Sequence, residues 1–406
     1  MGIMVQKYGG TSVQDVNRIN KVADRIIATS EQGYEVVAVV SAMGKTTDEL
    51  VNLAKQINPQ PPAREMDALL STGEKISAAL LAMAIEAKGY SSLSLTGGQA
   101  GILTEPVYSK AKIQDIDPTR IKKELSSGKI VIITGFQGIN EDDDIITIGR
   151  GGSDTSAVAI AAALDADFCE IYTDVDGVFV ADPRMVKNAR KLEEISYEEM
   201  LELASLGAGV LHPRAVETAQ FNNIVLHVRS SFNDKKGTIV KEGKNMERKK
   251  IVTGIAHDKD VAKITVLRVP DIPGSAAEIF SGLGKANVNV DMIIQSSHQE
   301  KSTNDITFTV SRQDLQCTLE VTKKIANEIK AGEVIFDDKV GKISIVGVGM
   351  ISTPGVASKL FTVLGKENIN IDLISTSEIK ISCVIPESDL LKAANLIHES
   401  FDLGAV

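Results

Sequence analysis

Asp144-Ile-Ile-Thr-Ile-Gly149-Arg150-Gly-Gly-Ser153-Asp154-Thr155 reads as a short apolar strand, a glycine-rich turn carrying one arginine and one aspartate, and the start of a small-residue helix over 156–164. A strand that ends in glycines and feeds a helix aims free backbone N–H groups and the positive end of a helix dipole at one point, which suits an anion. Arg150 offers a planar fork for a carboxylate or phosphate, and Asp154 falls in the first helical turn, where a magnesium ion or a substrate ammonium can meet it. A similar turn opens the chain: the strand 3–6 runs into Lys7-Tyr-Gly9-Gly10-Thr-Ser12 and an amphipathic helix over 13–28. Two anion-shaped turns suggest a polyphosphate, with turn N–H groups cradling oxygens and a lysine as point charge. Taken alone, each reads equally as a tight turn that needs glycine dihedrals.

Around these turns the first half alternates strands (3–6, 35–40, 92–95, 129–134, 144–148, 168–172, 225–229) with helical patterns such as 77–88, 118–126 and 197–204. That alternation predicts an α/β fold with a mainly parallel sheet covered by helices on both faces, whose ligands gather where strands end in turns. After Val228-Arg-Ser-Ser-Phe232 the texture becomes polar and charged, which places a boundary there: a first domain over 1–232 and a linker with an extra strand over 233–260. An internal repeat follows. Pro273-Gly274 to Phe280, Leu283-Gly-Lys285 and Asn287-Val-Asn289-Val-Asp291 recur as Pro354-Gly355 to Phe361, Leu364-Gly-Lys366 and Asn368-Ile-Asn370-Ile-Asp372, at a constant offset (354 − 273 = 81). Each copy, 261–338 and 339–406, reads as βαββ with a further helix, the pattern of a small ferredoxin-like sandwich. The strand-like 251–256 has no counterpart before the second copy, so the other module is where it would fit.

A chain of 406 residues has room for two or three domains with substantial cores. Its net charge of −10, with Arg248-Lys249-Lys250 the only basic cluster, argues against a nucleic-acid partner. Cys169, Cys317 and Cys383 are far apart in apolar runs and read as reduced core residues, so the expected compartment is the cytoplasm. No signal peptide and no apolar run of membrane-spanning length stands out. Gly44-Lys45-Thr46 looks like the end of a P-loop, but Val39 occupies the place of its leading glycine.

Six segments in order make the chain resemble the aspartokinases over nearly its whole length: Lys7-Tyr-Gly-Gly-Thr-Ser12, Val40-Ser-Ala-Met-Gly44, Ser71-Thr-Gly-Glu74, Gly149-Arg-Gly-Gly-Ser-Asp154, Thr173-Asp-Val-Asp-Gly-Val178 with Asp182-Pro-Arg184, and Ile374-Ser-Thr-Ser-Glu-Ile-Lys-Ile-Ser382. The resemblance implies an amino-acid-kinase-type three-layer sandwich followed by two ferredoxin-like (βαββαβ) ACT modules. It implies transfer of the γ-phosphoryl group of ATP, with Mg2+, to the side-chain carboxylate of L-aspartate, the first step toward lysine, threonine and methionine. By the same resemblance Lys7 holds the transferring phosphoryl, Gly9, Gly10 and Ser12 line the phosphates, and Asp154 organises Lys7 and the metal. Ser41, Thr47, Glu74, Arg150 and Ser153 form the aspartate pocket, and Thr173, Asp174, Asp176, Val178 and Arg184 surround the nucleotide. No metal is held by side chains alone.

Read locally, the same residues have plainer roles. Glu74 could be a helix N-terminal carboxylate, Asp174 and Asp176 turn formers around Gly177, Asp182-Pro183-Arg184 a turn boundary, and Ser41 and Thr47 caps for a helix beginning near Asp48. The ACT pair implies feedback by lysine, threonine or both, with Asp271, Gly274, Ala276, Asn289 and Gln295 from the first module and Asn370 and Ser377 from the second as effector contacts. It also implies a homodimer or higher oligomer, and Met246 could start a separate small subunit. Relatives usually carry lysine where Gly209 stands. Two competing readings therefore remain: another amino-acid-kinase relative, or an amino-acid sensor with a degenerate kinase domain.

Overall fold

A computed structural model of the chain describes residues 2–243, 251–298 and 302–404; Met246 and Arg248-Lys249-Lys250 lie outside them. The described residues form two compact units, one from 2–178, 191–205 and 209–243, the other from 179–190, 206–208, 251–298 and 302–404.

In the first unit the elements run β1 (Ile3–Tyr8), α1 (Val16–Glu31), β2 (Glu35–Val40), α2 (Thr46–Ile57), α3 (Ala63–Glu86), β3 (Ser92–Leu95), β4 (Ile102–Thr104), β5 (Ile113–Ile116), α4 (Thr119–Ser126), β6 (Ile130–Thr134), β7 (Gln137–Ile139), β8 (Ile145–Thr147), α5 (Gly152–Ala163), β9 (Phe168–Thr173), β10 (Glu194–Ser196), α6 (Tyr197–Ser205), α7 (Pro213–Phe221), β11 (Leu226–Ser230) and β12 (Thr238–Lys241). Eight of these strands form one sheet in the order β10-β12-β11-β9-β1-β2-β6-β3. Every pairing in it is parallel except β11 with β12. The central strands β2 and β6 are continuous apolar runs because both of their faces are covered. Helix α1 buries Ile19, Val22, Ala23, Ile26 and Ile27 at helical spacing against that sheet, and Asp15 caps it by accepting from Arg18 N at 2.8 Å. Strands β5-β4-β7-β8 make a small second sheet.

Helix α3 is long and apolar enough, by length and composition, to cross a membrane. It also encloses two carboxylates, Asp67 at 0% and Glu74 at 3% exposure, and packs on α1 and β8 as a core helix of this unit.

The second unit continues with β13 (Gly254–Pro270), α8 (Ser275–Lys285), β14 (Ile293–His298), β15 (Thr303–Val310), α9 (Leu315–Glu328), β16 (Val334–Val346), α10 (Val356–Lys366), β17 (Leu373–Thr376), β18 (Lys380–Pro386) and α11 (Leu390–Ser400). Its strands form one antiparallel sheet in the order β14-β15-β13-β16-β18-β17. The repeat is visible in the backbone: α8 and α10 both start after a glycine with positive φ, 104° at Gly274 and 90° at Gly355. Strand β13 serves both modules. Its later part pairs with β15 and the first part of β16, while 254–258 pairs with Lys342 to Val346, so the extra strand does complete the other module. Ion pairs repeat the exchange, Lys263 with Asp372 and Lys342 with Asp291. Cys169 and Cys383 are buried as expected, whereas Cys317 is exposed on α9, whose core face is made by Thr318, Leu319, Thr322, Ile325 and Ala326.

Candidate functional site

The parallel strands β11, β9, β1, β2 and β6 all end on one edge of the first sheet, and Lys7, Ser41 and Thr173 stand at or just beyond the ends of β1, β2 and β9. Chain connections leave β1 toward β2 on one side while β9 lies on the other, so β1 sits where a crevice opens at the carboxyl edge. At its end Lys7 Nζ lies 2.5 Å from Asp154 Oδ1, with the two side chains only 11% and 13% exposed. A pair this sheltered is held by need for a partner, and it faces both glycine turns.

The first turn is a short 3-10 segment, Gly10–Val13, closed by Ser12 N donating to the Gly9 carbonyl at 2.9 Å. A β-carbon on Gly10 would stand 2.9 Å from the Ala42 carbonyl oxygen and 3.2 Å from that of Gly44, so only glycine lets β1 and the β2 turn approach. Ser12 Oγ is buried with no hydrogen-bond partner, a polar atom left open beside the turn. The second turn brings α5 in through Gly151, whose φ is 69° and whose β-carbon would stand 2.1 Å from His212 Cγ. Two constraints thus fix that glycine, a left-handed backbone and a ring packed on it. Arg150 is exposed beside it, while Ser153 and Asp154 lie in the first turn of α5, Ser153 against Gly135 at the end of β6.

On the acceptor side Ser41 follows β2 and its carbonyl takes a hydrogen bond from Ser77 Oγ at 2.7 Å. Helix α2 begins at Thr46 after Lys45, with no side-chain cap, so Ser41 and Thr47 do not cap it. Glu74 lies in the middle of α3, not at a helix start. Its Oε1 accepts from Ala42 N at 3.1 Å, Oε2 is buried without a partner, and burial pushes its pKa up to about 7. A carboxyl in that state gains from an arriving ammonium.

The nucleotide candidates divide. Thr173 ends β9 and donates to Asp174 Oδ1 at 3.2 Å. Asp176 accepts from Asn233 at 2.7 Å and Lys235 at 2.9 Å, which ties the turn to the segment after β11. Val178 N donates to Thr238 Oγ1 at 2.9 Å, so Val178 is a buried anchor. Arg184 belongs to the second unit, where Asp182 takes its guanidinium at 2.8 Å, as the turn reading expects.

Several supporting residues escaped the sequence. Asp67, fully buried, accepts from Ser109 and Thr147 through both the N–H and the hydroxyl of each, and Arg214 donates to the Ile148 carbonyl at 2.7 Å and the Ala111 carbonyl at 2.9 Å. Together they pin the strand leading into Gly149. His212 packs on Gly151, and burial lowers its pKa. Its one signal in sequence is the proline that follows, at the first position of α7.

The effector candidates fall into two groups. Asp271, which accepts from Asn304 at 2.9 Å, precedes the opening of α8 with Gly274 and Ala276, and Asn289 and Gln295 lie before and on β14. Asn370 and Ser377 flank β17. Strands β14 and β17 are the two outer strands of the sheet, so Gln295 and Ser377 stand at opposite edges.

Residues 2–230 match the amino acid kinase family, and residues 263–329 and 343–401 each match an ACT domain. An aspartokinase of Mycolicibacterium smegmatis is 53% identical over 409 aligned residues, covering 100% of this chain and 97% of that protein. Aspartokinase 2 of Bacillus subtilis strain 168 is 51% identical over 404, covering 100% and 98%. Among solved structures, aspartokinase III of E. coli, in complex with aspartate and ADP, has the same fold with a TM-score of 0.83 at 24% identity over 98% of this chain and 99% of that one. An amino acid kinase region followed by two ACT domains, with about half of all residues shared along the whole length, means that the chain belongs to the aspartokinase family.

Proposed function

We propose that this protein transfers the γ-phosphoryl group of ATP to the side-chain carboxylate of L-aspartate, giving 4-phospho-L-aspartate, and that lysine or threonine restrains it through its ACT modules. The observation that carries this reading is the sheltered Lys7–Asp154 pair between two glycine turns at the carboxyl edge of the sheet. An acceptor carboxylate has a pKa near 4 and arrives ionised, so no side chain has to remove a proton to make the nucleophile. The difficulty is bringing two anions together. Lys7 neutralises charge on the transferring group, the N–H groups of 9–12 and 149–154 orient its oxygens, and Asp154 fixes where the ammonium stands.

Among the described residues no group of three or more His, Cys, Asp or Glu could hold a metal. Asp154 stands beside Lys7 at the second glycine turn, and a site offering a carboxylate there would suit magnesium, which is commonly held by one or two carboxylates together with substrate phosphates. When bound, the ion would screen phosphate charge there, with Asp154 the residue to hold it.

Arg150 grips a carboxylate of aspartate, Ser41, Thr47 and Ser153 position it, and Glu74 meets the ammonium. Thr173, Asp174 and Asp176 shape the nucleotide end. Phosphotransfer resides in 1–232 and effector recognition in 261–338 and 339–406, with Asp271, Gly274, Ala276, Asn289 and Gln295, and Asn370 and Ser377, as the contacts. The setting proposed is a cytoplasmic homodimer or higher oligomer. Acyl phosphate formation trapped as hydroxamate, with aspartate or glutamate as acceptor and with lysine and threonine added singly and together, tests all of this. Turnover with aspartate that falls on adding either amino acid is expected. No turnover with aspartate, while the ACT half still binds an amino acid, would leave a sensor as the better account.

A further inference from the structure

Arg18, Lys21 and Arg25 recur at i, i+3 and i+7 on α1, one stripe beside the apolar one. They border a cavity of about 570 Å³ between that helix and the segment from Ser231 to Asp234, lined by no residue of either glycine turn and floored by Glu170, Tyr172 and Arg229. The carboxylates around it are already answered: Asp234 by Arg25 at 2.6 Å, Glu170 by Arg229 at 3.0 Å, and Asp24 by Lys88 at 2.8 Å. Arg18 and Lys21 have no ion-pair partner among the described residues.

Arg18 is the informative member. It is 8% exposed, donates through Nη2 to the Ser231 carbonyl at 2.7 Å and Ser231 Oγ at 3.0 Å, and lies over the Phe232 ring at 3.9 Å. Its Nε is buried with no partner, and so is that of Arg229. Burial, and then the charge of Arg25, lowers the pKa of Arg18, so the cation stands where its surroundings do not favour it. A purely structural arginine would explain the two bonds to Ser231. It would leave unexplained the second unpaired cation beside it, Lys21, and the open volume.

We propose that this cavity binds a small phosphate-bearing molecule of about sugar-phosphate size, anchored by Arg18 and Lys21, while Arg25 at its rim stays on Asp234 and on the Ser230 and Asn233 carbonyls. A single carboxylate is satisfied by one guanidinium fork, whereas a phosphate monoester brings two charges and three acceptor oxygens, the complement of the Arg18 guanidinium and the Lys21 ammonium together. The volume falls in the ordinary range for small-molecule sites. Ser231 N donates to the Thr173 carbonyl at 2.9 Å, so a ligand that tightens Arg18 against Ser231 acts on the carboxyl end of β9.

Phosphorus NMR and titration calorimetry on the full chain, with inorganic phosphate and ribose 5-phosphate as probes and ribose as control, test the site. Both phosphates should bind wild type and Lys7→Ala alike, and about tenfold more weakly to Lys21→Gln and Arg18→Gln. Since Arg18 also holds Ser231, the exposed Lys21 is the variant that leaves the fold undisturbed. The proposal is overturned if neither phosphate binds at millimolar concentration, if ribose binds as well as its phosphate, or if binding vanishes in Lys7→Ala and persists in Lys21→Gln, which would put the anion at the catalytic edge.

Discussion

Replacing Glu74 by glutamine should make the substrate-free protein more stable above neutral pH while removing its ability to use aspartate. The carboxyl is 3% exposed and its Oε2 has no partner, so ionisation inside α3 is opposed by burial and aided only by the Ala42 N–H. Its pKa therefore moves from 4.5 to about 7. Because the folded value is the higher one, the favourable contribution is complete below about 4.5, is lost as pH rises, and is gone above about 7. That interval corresponds to about 3 kcal/mol. Glutamine cannot ionise, so its own cost, an amide N–H₂ without acceptors, is independent of pH. Urea unfolding followed by circular dichroism at pH 5 and pH 8.5 should show the variant gaining on wild type by about 2–3 kcal/mol between the two conditions in the transition of the first unit. In wild type near neutral pH, aspartate should expel a proton from Glu74, seen by calorimetry in buffers of different ionisation enthalpy, and the variant should not show it. A stability difference that is the same at both pH values, or proton uptake on binding, would refute the reasoning.

Lys7→Ala should lower turnover by about 10³-fold or more, as loss of a preorganised charge in phosphoryl transfer does, with nucleotide binding largely kept; near-normal hydroxamate formation would remove Lys7 from the mechanism. Gly10→Ala, whose new β-carbon would press on the Ala42 carbonyl at 2.9 Å, should cost about 1–3 kcal/mol and raise the KM for ATP more than that for aspartate, checked by thermal unfolding and initial rates. Asp291→Asn strands Lys342, whose side chain is 5% exposed, and should destabilise the second unit by about 1–2 kcal/mol. Asp372→Asn should cost less, because Lys263 is 22% exposed and water can replace its partner; the opposite ranking in urea unfolding would count against burial as the cause.

Much of the site was legible because its chemistry depends on backbone. Glycines at 9, 10, 149, 151 and 152 follow apolar runs, and such turns announce themselves in sequence. Glu74 was harder to place. Ser71-Thr72-Gly73 reads as a break, yet it is the interior of a 24-residue helix, and Gly73 is there because a β-carbon would stand 2.7 Å from Ala42 Cβ. That requirement comes from Ala42 in the turn after β2, 31 residues earlier in the chain (73 − 42), and leaves no local mark. The ACT repeat was visible from Pro-Gly and Asn-x-Asn-x-Asp, but the charged run His257-Asp-Lys-Asp260 hid the continuity of β13, which absorbs it through irregular pairing between Asp258 and Val261. The network of Gln6, Glu170, Tyr172 and Arg229 joins three strands through side chains, with Glu170 held at about 2 against its burial by His227, Tyr172 and Arg229. Only the sheet order brings those residues together.

The reciprocal bonds of Lys263 to Asp372 and Lys342 to Asp291 have a bearing on descent. Each module lends a lysine to its sibling's aspartate, and each sheet half borrows a strand from the other's chain, which is how two identical subunits meet across a two-fold axis. A single-module ancestor with this lysine and aspartate would have closed on a second copy of itself. Within one polypeptide the two halves are under no symmetry requirement to stay alike. Asp291 is 50% exposed and Asp372 21%, so the two corresponding corners already differ in their surroundings and can carry separate duties.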